Sequence, residues 1–284
     1  MSEPRQVALR WLAQGGFISI NVWEWLPSAP SAAPPVLCVH GLTRNGRDFD
    51  TLAQALVAQG RRVLCPDLPG RGLSDPLRDP KGYEPISYVQ MLTTLLALEP
   101  GQVDWVGTSL GGLCGMLMAM MPGNAVRRLV LNDIGPFVPG AAIKRIRDYV
   151  GRQMEFPDLA ALEQHLRQVH AGFGALSDAQ WAHLARHSAG PGKHGGIRLR
   201  YDAAIGVPMQ GTGEPPDGDM WGLWPNVTQP VLVLRGETSD LLLPETAARM
   251  AERPGVRLEV IAGCGHAPAL MDPAQVKLVT DFLG

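Results

Sequence analysis

From about residue 34 onward the chain alternates two kinds of apolar run, and this alternation restricts the fold more than any other feature. The runs "PPVLCVHG" (34–41), "RRVLCPDLPG" (61–70), "QVDWV" (102–106), "VRRLVLNDIG" (126–135), "PVLVLRG" (230–236) and "VRLEVIAG" (256–263) are short, rich in β-branched residues and bounded by Gly or Pro. They read as strands. Between them lie "RDFDTLAQALVAQG" (47–60), closed by Gly60, "ISYVQMLTTLLALE" (86–99) and "LGGLCGMLMAMM" (110–121), with a further helix after each of the last two strands. These carry helical spacing, and the run 110–121 is apolar all round and ends at Pro122-Gly123, as a fully buried helix would. Strand, helix, strand, helix gives a mostly parallel sheet covered on both faces. Ahead of it, "QVALRWLA" and "FISINVWEWL", joined around Gly15-Gly16, predict an opening hairpin. At the other end, Asp272 as N-cap, Pro273 at the first position and Gln275 placed to close a capping box predict the last helix.

Residues from about 137 to 220 break the alternation. Ile143, Ile146 and Val150, then Leu159, Leu162, Leu166 and Val169, recur at helical spacing, and Ser177 with Gln180 forms a capping box. The expected organisation is a core of residues 1–136 and 221–284 with a helical cap, 137–220, inserted after the sixth strand. An insertion at the carboxyl ends of the strands can form a lid over a site there. Its outer end, "GTGEPPDGD" (211–219), has the composition of a flexible loop.

The charge balance, Lys plus Arg 25 against Asp plus Glu 27, leaves a net charge of −2 and no field that would collect nucleic acid or an acidic membrane. Residues 141–200 carry nine Lys or Arg against five Asp or Glu, an excess cancelled by Asp202, Glu214, Asp217 and Asp219, so a solvated surface is expected there. No charged n-region with an apolar h-region opens the chain, which implies the cytoplasm. Asp104, Ser109 and the glycines within 103–121 fit a buried strand and helix better than a membrane span. Cys38, Cys65, Cys114 and Cys264 show no metal-ligand spacing beyond Cys264 two residues before His266, so buried free thiols and no metal are expected.

Ser109 stands at the seam of the strand 102–106 and the helix 110–121, with Gly107 and Gly111 two residues to either side. The spacing is G-x-S-x-G, in which glycines allow a sharp turn and close strand-to-helix packing. A serine hydroxyl is a weak nucleophile without a base, itself oriented by a third group. Of the histidines, His165, His170, His183, His187 and His194 lie in the insertion among polar neighbours, where solvated side chains are expected, and His40 precedes a strand-ending glycine. His266, in "AGCGHAP" after the last strand, has room to face the carboxyl edge. Asp240, four residues beyond the glycine that ends its strand, is favoured as the acid; Asp133, also at a strand end and one element earlier, is the competitor.

The motifs "HG" (40–41), "GTSLGG" (107–112), "RGETSD" (235–240) and "GCGH" (263–266), in this order, resemble those of the α/β-hydrolase fold superfamily, over essentially all of residues 20–284. The resemblance implies an α/β-hydrolase fold with Ser109 as nucleophile, Asp240 as orienting acid and His266 as general base. It also implies an oxyanion hole from the backbone N–H groups of Leu42 and Leu110, with His40 bracing the turn. A serine in the elbow argues against the aspartate-nucleophile dehalogenases and epoxide hydrolases. Leu110 replaces the tryptophan that proline iminopeptidases favour, and "HGLTRNGRDFD" differs from the glycine-rich oxyanion loop of meta-cleavage C–C hydrolases. What remains is ester hydrolysis through an acyl-serine on a small to medium substrate, without cofactor, with lactonase, thioesterase, C–C hydrolase or cofactor-free haloperoxidase chemistry as alternatives. A non-catalytic ligand-binding protein is the alternative of another class. Trp221 and Trp224, where the insertion returns to the core, are candidates for the pocket wall or for cementing cap to core.

Overall fold

The computed structural model describes residues 3–29, 31–152, 154–192 and 195–284; His194 lies outside them. β1 (Arg5–Ala13) and β2 (Gly16–Trp25) form the expected hairpin. β3 (Val36–Val39) leads through a 3-10 turn, Gly46–Phe49, into α1 (Asp50–Ala58). The alternation continues with β4 (Val63–Pro66), α2 (Pro85–Leu96), β5 (Val103–Thr108), α3 (Leu110–Ala119) and β6 (Val126–Asn132). The insertion follows: β7 (Phe137–Val138), α4 (Gly140–Tyr149), β8 (Glu155–Phe156), α5 (Leu159–Val169), α6 (Asp178–Ser188), β9 (Ala189–Pro191), β10 (Ile197–Leu199) and β11 (Gly218–Asp219). β12 (Val231–Gly236), α7 (Pro244–Ala251), β13 (Val256–Ile261) and α8 (Pro273–Leu283) complete the chain.

The main sheet has eight strands in the order β1-β2-β4-β3-β5-β6-β12-β13, parallel from β4 onward, with β2 antiparallel to β4. Because side chains alternate along a strand, each strand feeds two cores. Leu37, Val39, Trp105, Leu129, Leu131, Val231 and Val233 face α2, α3 and α7. Val36, Cys38, Val106, Val130, Leu232 and Leu234 face α1 and α8. Both faces are covered, which is why the central strands read as continuous apolar runs. All four cysteines are free and buried, and no described helix is long and apolar enough to cross a membrane.

Three local expectations change. Short strands, β8-β10-β9 and β11-β7, join the helices of the insertion; pairings of two or three residues leave no alternation to read. The segment 211–219 is tied down where a flexible loop was expected: Asp217 accepts the Gly140 N–H, Glu214 pairs with Lys144, and Gly218–Asp219 pairs with Phe137–Val138. The Ser177–Gln180 capping box forms, but the one at Asp272 is half made. Asp272 accepts the N–H groups of Ala274 and Gln275, while the Gln275 side chain turns to the Leu270 N–H instead.

Candidate active site

Ser109 sits between β5 and α3 with φ 51° and ψ −115°, in a region that L side chains seldom adopt. Such a residue costs about 1–3 kcal/mol and persists only where its surroundings over-determine it. Here they do. The Ser109 N–H donates to the Asn132 carbonyl at 2.9 Å and its carbonyl accepts the Leu113 N–H at 2.9 Å. A Cβ on Gly107 would lie 2.4 Å from the Gly111 backbone, and one on Gly111 would lie 1.9 Å from the Val39 carbonyl oxygen. Bare backbone at both positions lets helix and strand close on each other, and the turn projects the hydroxyl.

The hydroxyl meets His266, whose Nε2 is 2.9 Å from Ser109 Oγ. On the other side of the ring, Nδ1 is 2.7 Å from Oδ2 of Asp133. With a carboxylate at Nδ1, that nitrogen carries the proton and Nε2 is left to accept from the serine. Asp133, at the end of β6, has φ 57° and a fully buried side chain. Its Oδ1 accepts the Gly236 N–H and its Oδ2 accepts the Ser239 hydroxyl, so β12 and the loop after it hold the carboxylate in place. Arg235 fixes that loop in turn, donating to the Leu242, Glu237 and Ser239 carbonyls. Asn132 donates to the Pro268 carbonyl at 2.8 Å and so ties β6 to the segment carrying the histidine.

The acid favoured from the sequence, Asp240, is therefore elsewhere. Its side chain is 52% exposed and makes a two-pronged pair with Arg145 of α4, at 2.5 and 2.8 Å. The reason is the sheet order. β6 is the immediate neighbour of β5, which ends at the serine, and a left-handed turn at Asp133 swings its carboxylate under His266. The loop after β12 contributes Ser239 inward and Asp240 outward. Sequence reasoning missed Ser239, Asn132 and Arg235; a buried arginine inside an apolar strand was the one visible signal.

The N–H groups of Leu42 and Leu110 are left without an acceptor among the described residues. Gly41, ahead of Leu42, lies against Ser109, where an added Cβ would be 3.8 Å from the serine Cβ. His40 braces this turn as expected: Nδ1 donates to the Gly41 carbonyl at 2.7 Å and Nε2 accepts the Leu68 N–H at 2.9 Å. Burial holds its pKa down to about 3, so it is neutral. Arg71, wholly buried, donates to the Leu42 carbonyl and completes the support.

Above Ser109 lies a cavity of about 70 Å³ lined on the core side by Leu42, Arg44, Phe49 and His266, and on the insertion side by Ile146, Tyr149, Val169, Phe173 and Leu184. A second cavity, about 200 Å³, shares the wall of Thr43, Arg44, Tyr149, Val169 and His170 and extends to Arg152, His165 and Tyr201. The one arginine on both walls, Arg44, is paired with Asp48 through two hydrogen bonds of 2.7 Å. Burial, then Arg44, hold His170 well below its ordinary pKa.

The profile described as the alpha/beta hydrolase family matches residues 36–277. The chain belongs to that family. Among proteins similar to this alpha/beta hydrolase is the 3-hydroxybutyrate-oligomer hydrolase of Cupriavidus necator, 37% identical over 99% of this chain and 98% of that one. The 2-(acetamidomethylene)succinate hydrolase of Mesorhizobium japonicum is 29% identical over 94% of this chain and 92% of its own length. An alpha/beta hydrolase from Novosphingobium aromaticivorans, solved as a crystal structure, superposes with a TM-score of 0.88 at 39% identity, covering 100% of this chain and 99% of the other.

In this alpha/beta hydrolase neither Trp221 nor Trp224 reaches the cavity over Ser109. Trp221 lies under Arg249, whose guanidinium is 3.9 Å from the ring centroid, and Trp224 is buried in the core cluster that holds Met116, with the Arg253 guanidinium 5.2 Å from its ring centroid. Of the two roles considered for them, they cement the returning chain to the core. The insertion's share of the pocket wall comes instead from α4, α5, the turn after α5 and α6.

Proposed function

We propose that the protein is a serine hydrolase that cleaves short carboxylic esters of hydroxy acids through an acyl-Ser109 intermediate. The observation that carries this is the hydrogen-bonded series Ser109, His266, Asp133 at the floor of a cavity lined by both apolar and polar side chains. His266 Nε2 takes the Ser109 proton as Oγ attacks the ester carbonyl. Asp133 holds the ring in the productive tautomer and stabilises the imidazolium that forms. The carbonyl oxygen, now an oxyanion, receives the N–H groups of Leu42 and Leu110. His266 gives its proton to the departing alkoxide, and water repeats the sequence to release the acid.

The substrate class rests on two supports. The relative from Cupriavidus necator is named for 3-hydroxybutyrate oligomers and is similar over its whole length. The two adjoining cavities offer room for successive small units; the arginines beside them, Arg44 and Arg145, are already paired with Asp48 and Asp240 and are not counted as partners for a substrate carboxylate. Labelling with a fluorophosphonate, then turnover of the linear 3-hydroxybutyrate dimer and trimer beside p-nitrophenyl esters, tests the reading. A Ser109 adduct and cleavage of the oligomers are expected. Absence of both adduct and turnover would favour a binding protein, and an adduct with turnover confined to non-ester substrates would remove the ester assignment.

A further inference from the structure

A second cluster of ligating side chains lies where the insertion meets the core, and it does not depend on the function proposed above. We infer that Asp50, His183 and His187 form a binding site for a late first-row divalent metal ion, of which Zn²⁺ is the working probe. Each of the three offers a ligand atom, and these atoms lie within 4.8 Å of one another. His183 and His187 stand one turn apart on one face of α6, with ring centroids 4.5 Å apart. Nε2 of His183 is 3.4 Å from Oδ2 of Asp50, the first residue of α1. Two ligand atoms on one tetrahedral zinc, each about 2.0–2.1 Å from the ion, stand about 3.4 Å apart. That separation matches one edge of the tetrahedron, and a ligand atom of His187 lies within 4.8 Å of both; Nε2 of His183 also lies 3.1 Å from the Arg47 carbonyl, a contact that metal binding must displace.

The donor set, two imidazoles and one carboxylate, suits zinc, copper or nickel better than calcium or magnesium, which prefer all-oxygen shells. The Asp50 side chain is 7% exposed and that of His183 26%, so the site is partly sheltered yet open to an ion and a coordinated water.

Arg47 is the competitor, since its guanidinium grips both oxygens of Asp50 at 2.8 and 2.9 Å. It has other partners to fall back on: Glu3 lies 3.7 Å away, and the Trp23 ring centroid 4.7 Å. Entry of a metal exchanges the guanidinium for the ion at Asp50 and leaves Arg47 on Trp23 and Glu3. The bound ion would strap α6 to α1 beside the pocket, because Leu184 of α6 and Asp48 just before α1 both line it.

Titrating Zn²⁺ into the full chain by calorimetry tests the site. Loss of one outer-shell partner typically costs 10–100-fold in metal affinity, so H183A/H187A, which removes two ligands, should lose at least about a hundredfold. D50N should weaken binding as well. R47Q, which removes the competing cation, should tighten it by about tenfold. Zinc should raise the Tm of the wild-type chain and leave that of H183A/H187A unmoved. If the double variant does not fold, D50N and R47Q decide the matter by shifting affinity in opposite directions. Equal zinc affinity in the wild type and these variants would overturn the site.

Discussion

Asp133 and Asp240 are both carboxylates at the carboxyl edge of the sheet, and their surroundings divide the work between them. The Asp133 carboxylate is buried and accepts from His266, Ser239 and the Gly236 N–H. Asp240 is half in solvent and holds Arg145. Replacing Asp133 by Asn should favour the wrong histidine tautomer and cost roughly 10⁴ in kcat. Asp240→Asn removes only an exposed ion pair, worth about 1 kcal/mol or less, and should leave kcat within about threefold. Steady-state kinetics on one ester decides; the reverse ranking would return the acid's role to Asp240. The serine and histidine were legible because both lie in short glycine-rich motifs whose backbone demands are visible in sequence. The acid was not, because both aspartates end or follow a strand, and only strand order and a positive φ at Asp133 select between them.

At the scale of elements, the turn after α5 touches the segment that carries His266 through bare backbone. The Gly265 N–H donates to the Gly172 carbonyl at 2.8 Å, and a Cβ on Gly172 would lie 3.0 Å from both the backbone N and O of His266. Gly172→Ala should therefore lower kcat by displacing His266 while shifting Tm little, since the contact involves no core side chain. Gly111→Ala should act the other way round. Alanine is favoured over glycine in a helix by about 1 kcal/mol, but here the methyl would be driven 1.9 Å from the Val39 carbonyl, separating α3 from β3. Loss of soluble, cooperatively melting protein is expected for Gly111→Ala; melting and kinetics on the two variants check both. A Gly172→Ala enzyme with unaltered kcat would show that the insertion does not position the histidine. The strands and helices of the core were readable because each carries an apolar run of sufficient length. The small sheets of the insertion were not, being held by cross-chain pairings such as Gly218–Asp219 with Phe137–Val138.

The molecule as a whole carries neutral buried histidines whose cost appears only in acid. His40, held at about 3 by burial, takes a proton at about 6.5 once the chain unfolds. Between those values the unfolded state binds more protons, so this contribution to stability is intact above pH 6.5 and is lost as pH falls toward 3, at about 1.4 kcal/mol per pH unit. Asp50 and Asp67, raised by burial, act in the opposite sense, so the comparison must be between variants. Denaturant unfolding at pH 7, 6 and 5 should give a shallower slope for His40→Asn than for the wild type; equal slopes would contradict the assignment. The same continuity of packing bears on substrate size. Ala142, Val150, Tyr201 and Ile205 of the insertion share one apolar core with Leu68, Tyr88 and Ile134 below. A cap sharing its core with the sheet cannot swing away as a unit without exposing that core to water, at about 25 cal/mol per Å² of apolar surface. The cavity over Ser109, about 70 Å³, must then receive the acyl group largely as it stands. Accordingly kcat/KM on p-nitrophenyl esters should peak at short to medium acyl chains and fall for long ones, with no rise on adding an oil-water interface. Activity that climbs steadily through palmitate, with activation at the interface, would mean that the insertion opens despite its shared core.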